Sequence, residues 1–123
     1  MGLIYEEIKL VGTIKSKSIN ALFDSGSDIN AIRRKFSDDE TIESIGFHTY
    51  RKKIYEIEFG DNSRKSRDGV VFNNIVFKSQ SLKNPIFVVI DEAREDMILG
   101  APFMQDMGLM LDFISDKIYL GPK

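Results

Sequence analysis

The sequence predicts a single all-β, barrel-like domain over residues 1–123, with one short helix near the C-terminus. Three observations carry that expectation. Strand-like segments are short and numerous. Clusters of turn formers separate them every eight to twelve residues or so, the spacing of sandwiches and barrels. A chain of 123 residues, 42% hydrophobic with nine Phe and no Trp, has apolar material for one core and not for two.

In chain order, Ile4 to Ile14 alternates loosely with charged residues, as a strand with one wet face does. Lys15-Ser16-Lys17-Ser18 is a polar turn. Ile19-Asn20-Ala21-Leu22-Phe23 is a short apolar strand running straight into Asp24-Ser25-Gly26-Ser27-Asp28. Apolar residues at 29, 32 and 36 have helical spacing, so Ile29 to Phe36 is expected to form a helical turn or two. Ser37-Asp38-Asp39-Glu40 offers the cap of another short helix ending near Gly46.

The middle is β-like. Lys53 to Phe59 alternates at period two, and Gly60-Asp61-Asn62-Ser63 is a run of hairpin turn formers. Val70-Val71-Phe72 and Ile75-Val76-Phe77 flank a turn at Asn73-Asn74. Pro85 to Ile90 is a continuous apolar run, the mark of a strand buried on both faces. After the short apolar stretch Met97-Ile98-Leu99-Gly100, a helix is predicted over Ala101–Met107. Pro102 suits its first turn and Gly108 its end. Leu109 to Leu120 supplies two final strands around Ser115-Asp116-Lys117. A weak internal repeat joins Leu22–Gly26 to Ile98–Met107: an apolar pair, then glycine, then a helical turn.

Charge narrows the function classes. With 17 basic and 19 acidic side chains the net charge is −2, so no nucleic-acid or anionic-membrane partner is expected. No apolar run approaches the roughly 20 residues that span a bilayer. The absence of Cys removes disulfides, thiol nucleophiles and thiolate metal sites, and fits a cytoplasmic setting. Met-Gly-Leu-Ile-Tyr-Glu-Glu turns acidic by position 6, unlike a signal peptide. His48 is the single histidine, which leaves a Ser-His-Asp triad or a zinc site without support. Met97, Met104, Met107 and Met110 read as core or a packing face. Arg51-Lys52-Lys53 and Arg64-Lys65-Ser66-Arg67 read as solvated loops.

The informative segment is Ala21 to Asp28. An apolar strand delivers the Asp24 carboxylate from a buried position into a tight loop. A buried carboxylate with no cation beside it is costly, so it needs a reason to be there. Ser25 offers a hydroxyl to brace the loop, and Gly26 permits close backbone approach. On these residues alone, Asp-Ser-Gly is also a simple turn, Asp28 a helix cap, and Gly60–Ser63 an ordinary hairpin.

Asp24-Ser25-Gly26-Ser27 resembles the Asp-Thr/Ser-Gly signature of aspartic proteases. Its flanks, Ala-Leu-Phe before and Asp28 after, are similar to the retroviral-type (retropepsin-like) members. Ile98-Leu99-Gly100 resembles that family's second hallmark, and Leu111-Asp112-Phe113 its terminal strand region in retrotransposon-type relatives. Order and spacing match from about Glu7 to Leu120.

The resemblance implies a closed, barrel-like acid-protease fold and a homodimeric aspartic endopeptidase. Asp24 would form a dyad with Asp24 of a second copy, because the chain holds one such motif. Ser25 would hydrogen-bond across the dimer axis. Gly26, Ser27 and Asp28 would contact a polypeptide substrate. Phe59, Gly60, Asp61 and Asn62 would be the flap, and Ile98 would line a side-chain pocket. Two carboxylates about 3 Å apart cannot both ionise, and aspartic proteases are themselves the standard example. The ionised member would take a proton from a water that attacks the peptide carbonyl, and the neutral member would stabilise the oxyanion. This chemistry calls for no metal or cofactor. One departure stands out. Retroviral enzymes usually place Arg after the Ile-Leu-Gly glycine, paired with the acid at the position of Asp28. Here that residue is Ala101, which leaves Arg33 and Arg34 as candidates to brace the dimer. The alternative is a catalytically inactive dimerisation or peptide-binding module of the same fold.

Overall fold

The computed structural model describes residues 3–120; the reading of Met1 and Gly2 as a start without a signal peptide lies outside them. The elements are β1 (Ile4–Val11), β2 (Ser16–Phe23), β3 (Ala31–Ile32), α1 (Ile42–Ile45), β4 (His48–Glu58), β5 (Arg64–Val71) and β6 (Asn74–Phe77). They continue with β7 (Gln80–Lys83), β8 (Ile86–Val89), β9 (Met97–Leu99), α2 (Ala101–Met107), β10 (Leu109–Asp112) and β11 (Lys117–Leu120). Nine strands form one sheet curled into a half-barrel, in the order β4-β5-β8-β3-β9-β2-β1-β6-β7. β10 and β11 pair separately. The predicted mostly-β, barrel-like class with a short C-terminal helix therefore holds.

β1 and β2 pair antiparallel over their full length, from Ile4↔Phe23 to Val11↔Ser16. Their turn lies at residues 12–15, three residues earlier than the sequence suggested, for a tertiary reason. The amides of Thr13 and Ile14 donate to the carbonyls of Gly46 and Ile45 at 3.0 Å each. Those are end carbonyls of α1, which a short helix leaves without partners of its own. α1 itself starts later than expected, at Ile42, and stops as predicted at Gly46, whose φ is 90°.

Two other expectations are corrected. Ile29–Phe36 is not helical: Ala31 and Ile32 are strand, parallel to β8 and antiparallel to β9. Both are buried, and a central strand covered on both faces loses the alternation that would have revealed it. The basic runs are not loops, since Arg51–Lys53 lie in β4 and Arg64–Arg67 in β5. β7 was not foreseen. Its hairpin with β6 turns through Lys78 (φ 48°) and Ser79 (φ 66°), which lack the Asn-Gly signature such a turn usually carries.

One hydrophobic cluster joins sheet, helices and the C-terminal hairpin. Phe23, the last residue of β2, packs tilted against Phe77 at 5.1 Å and edge-to-face against Phe103 of α2 at 6.0 Å. Aromatic pairs of this kind add about 0.5–1.5 kcal/mol each beyond area burial. They anchor the strand end where the chain turns out towards solvent. Met97, Met104 and Met107 belong to this cluster, while Met110 is 54% exposed.

Candidate active site

Asp24 follows β2 directly. β2 runs parallel to β9 with Leu22↔Ile98 and Phe23↔Leu99, and one further step sets Asp24 opposite Gly100. The suspected repeat is thus a real side-by-side relation, although a turn rather than a helix follows Gly26. Three backbone-directed bonds stitch the two segments together. The Asp24 amide donates to Leu99 O at 2.9 Å, the Ala101 amide to Ser27 O at 2.8 Å, and the Gly100 amide to Asn30 Oδ1 at 2.9 Å.

The Asp24 carboxylate accepts a bond from the Gly26 amide at 3.0 Å. It is exposed, and so are Ser25, Gly26 and Asp28. This corrects the expectation that the carboxylate starts from a buried position. Phe23 ends the buried strand, and the side chain beyond it folds back on its own loop.

Two clefts flank this loop. The first, about 260 Å³, is lined by Asp28, Ile29 and Asn30, by Lys53 and Tyr55 of β4, and by Ile86 and Val88 of β8, among others. The second is an open apolar groove in which Ser25 and Ala101 meet Met104, Leu109, Met110, Leu111 and Phe113. The predicted flap residues Phe59, Gly60, Asp61 and Asn62 form the tip of the β4–β5 hairpin and line neither cleft. The hairpin meets the first cleft through Lys53 and Tyr55 instead.

Asn62 takes the left-handed conformation the tip requires, with φ 64°. Hydrogen bonds from the Ser63 hydroxyl and amide hold the Asp61 carboxyl below its ordinary range. Phe59 lies under Lys65 and Arg67, 5.3 and 5.2 Å from its ring. Ile98 is half-buried in the middle of the sheet, between Leu22 and Ala31.

Among the described residues no hydrogen bond or ion pair reaches the Asp28 carboxylate. Arg33 and Arg34, the expected braces, are engaged within the chain by Asp96 and Glu43. Sequence reasoning missed Asn30 altogether. It is 8% exposed, follows the acidic loop, and precedes the buried pair Ala31-Ile32. A polar residue opening an apolar run was the available signal. No group of three or more His, Cys, Asp or Glu among the described residues is gathered as a metal would require. No described helix is long and apolar enough to cross a membrane.

A sequence profile described as aspartyl protease matches residues 10–103, which spans both Asp24-Ser25-Gly26 and Ile98-Leu99-Gly100. The chain belongs to the aspartyl protease family. Its fold is similar to that of retropepsin-like solved structures. The retroviral protease-like domain of Ddi1 from Leishmania major superimposes with a TM-score of 0.62 at 13% identity, over 98% of this chain and 88% of that one. A retropepsin-like aspartic protease from Rickettsia conorii gives 0.60 at 17%, over 90% and 77%. A Legionella pneumophila protein of unknown function gives 0.50 at 12%, over 83% and 84%. At these identities the likeness is one of fold. A comparison with curated proteins found no match.

Proposed function

We propose that this chain is one protomer of a homodimeric aspartic endopeptidase, and that residues 1–123 make up a single protease domain. Two Asp24 carboxylates, one from each copy, hold a water between them. The ionised member removes its proton, the water attacks the substrate carbonyl, and the neutral member hydrogen-bonds the oxyanion. The observation that supports this reading best is the setting of Asp24. Its amide is tied to Leu99 and its carboxylate is exposed beside an apolar groove that contains Ser25.

In this reading a second copy covers that groove. Met110 and Tyr119, paired across β10–β11 and 54% and 47% exposed, extend the same surface. Gly26, Ser27 and Asp28 line the path of an extended polypeptide, with Ile98 behind them. The β4–β5 hairpin, tipped by Phe59–Asn62, closes over the peptide as a lid. A cytoplasmic site of action goes with a chain that has no cysteine.

The test is cleavage of an unfolded protein between about pH 4 and 7, parent against Asp24→Asn. Activity that disappears in the variant supports the enzyme, whereas equal activity in both sinks it. Asp28, left without the basic partner that Ala101 replaces, favours a second reading as an inactive peptide-binding module. That reading predicts an inert parent that still binds peptide.

A further inference from the structure

We propose that the carboxamide of Asn30 is a positioning group for Asp24, acting through the peptide unit that joins Leu99 to Gly100. The inference rests on the reading of Asp24 as the catalytic carboxylate. Asn30 is the one polar residue among the buried described residues, and a buried carboxamide is tolerated only when both its ends are bonded. Both are. Its Oδ1 accepts from the Gly100 amide at 2.9 Å and its Nδ2 donates to the Ile86 carbonyl at 3.3 Å. Its own carbonyl accepts from the Val88 amide at 2.8 Å.

β3 lies between β8 and β9, and Ile86 opens the first while Gly100 follows the second. At Asn30 the main chain leaves the sheet to form the Asp24 loop. The Asn30 carbonyl still bonds to β8, and the carboxamide adds a bond on each side, to Ile86 O in β8 and from Gly100 N beyond β9.

What it holds matters for Asp24. Leu99 C=O and Gly100 N–H belong to one planar peptide unit. The nitrogen end is bonded to Asn30, and the oxygen end accepts the Asp24 amide at 2.9 Å. Turning that plane therefore moves Asp24. A misplacement of about 1 Å is enough to cost roughly 100-fold in rate.

Asn30→Leu removes both side-chain bonds while keeping the branching of the side chain, and kcat is expected to fall about 100-fold with KM held within about threefold. Asn30→Asp separates positioning from folding. Its carboxyl, when protonated, donates to Ile86 O and accepts from Gly100 N as the amide does; when ionised it has no donor for Ile86. Activity of this variant should therefore approach the parent's at acid pH and fall with a new ionisation as pH rises. The titratable groups sharing its cleft are Asp28, Lys53, Tyr55, Lys83 and Asp106, all present in the parent as well. The added ionisation is thus read by difference.

Amide hydrogen exchange gives a readout independent of turnover. In Asn30→Leu, the Gly100 and Asp24 amides should speed up together, while those of β1 do not. An inert parent with this paired exchange change sinks the catalytic reading and leaves the positioning role standing. Folded Asn30→Leu with unchanged exchange at Asp24, or with kcat and pH profile like the parent's, overturns the proposal.

Discussion

The α-carbon of Gly100 faces the carbonyl of Ile29 so closely that a Cβ there would stand 2.2 Å from that oxygen, and 2.6 Å from the oxygen of Ser27. Neither atom belongs to a side chain that can rotate aside. Both are backbone of the loop that carries Asp24. Gly100→Ala must therefore displace that loop, at a cost of about 1–3 kcal/mol by the usual penalty for overpacking. Gly108→Ala is the control: its φ is 66° but nothing lies within 4 Å of the added carbon, so strain alone is expected. Thermal unfolding should show a larger loss for Gly100→Ala, and proteolytic activity should vanish in that variant only. Retained cleavage would break the link between the two segments.

The proposed dimerisation, if it runs through the C-terminal hairpin, can be tested by mutation. Met110 and Tyr119 stand opposite each other and point away from the core, while Ile118 on the neighbouring position is buried. Paired substitutions Met110→Glu and Tyr119→Lys place charge on the outer face without disturbing the inner one. Sedimentation of the parent should show a dimer, and of the variant a monomer with nearly the same Tm and no activity. A variant that stays dimeric assigns the interface elsewhere.

Much of this architecture was legible because local pattern and burial agree. Phe87, Val88 and Val89 are buried as the unbroken apolar run implied, and Gly108 caps α2 in the left-handed conformation expected of it. What escaped was set by distant parts of the chain. The β1–β2 turn is fixed by carbonyls of α1, and Ala31-Ile32 is extended because strands from both sides claim it. At the site, the Asp24 and Ile-Leu-Gly segments were readable as motifs. Asn30 was not, since its importance lies in two partners 56 and 70 residues away.

The β4–β5 hairpin is held by a charge clasp. Arg67 and Lys65 of β5 both reach Glu92, the lysine at 3.8 Å. The pairing of β4 with β5 shifts register between Tyr50 and Tyr55, so the outer half is joined to the inner half by a bulge. Glu92 is 41% exposed, and exposed pairs contribute only about 0.2–1 kcal/mol. Glu92→Gln should therefore speed amide exchange in the outer half by no more than about fivefold. Residues 48–50 and 69–71 should be unaffected. A uniform change along both strands would mean the bulge does not divide the hairpin.

Acid should loosen the fold at Lys17. Its ammonium is bonded to Asp38 and Glu40 and lies 5.7 Å from the Phe36 ring, and the side chain as a whole is 13% exposed. The bond from Lys17 holds the Asp38 carboxyl below its ordinary value; bonds from Lys15 and then Lys17 do the same for Glu40. Lowered carboxyl values mean stability that is present above the ordinary carboxylate range and is lost as pH falls through and below it, near pH 4. Lys17 is raised, by Asp38 first and Glu40 second, so its contribution persists at neutral pH and fades only above the ordinary lysine value. Lys17→Met keeps an apolar stem over Phe36 and removes the charge. Its Tm should lie below the parent's at pH 7, and the gap should narrow by about pH 3, as the carboxylates begin to take up protons. A gap of the same size at both pH values would show that Lys17 stabilises by packing alone.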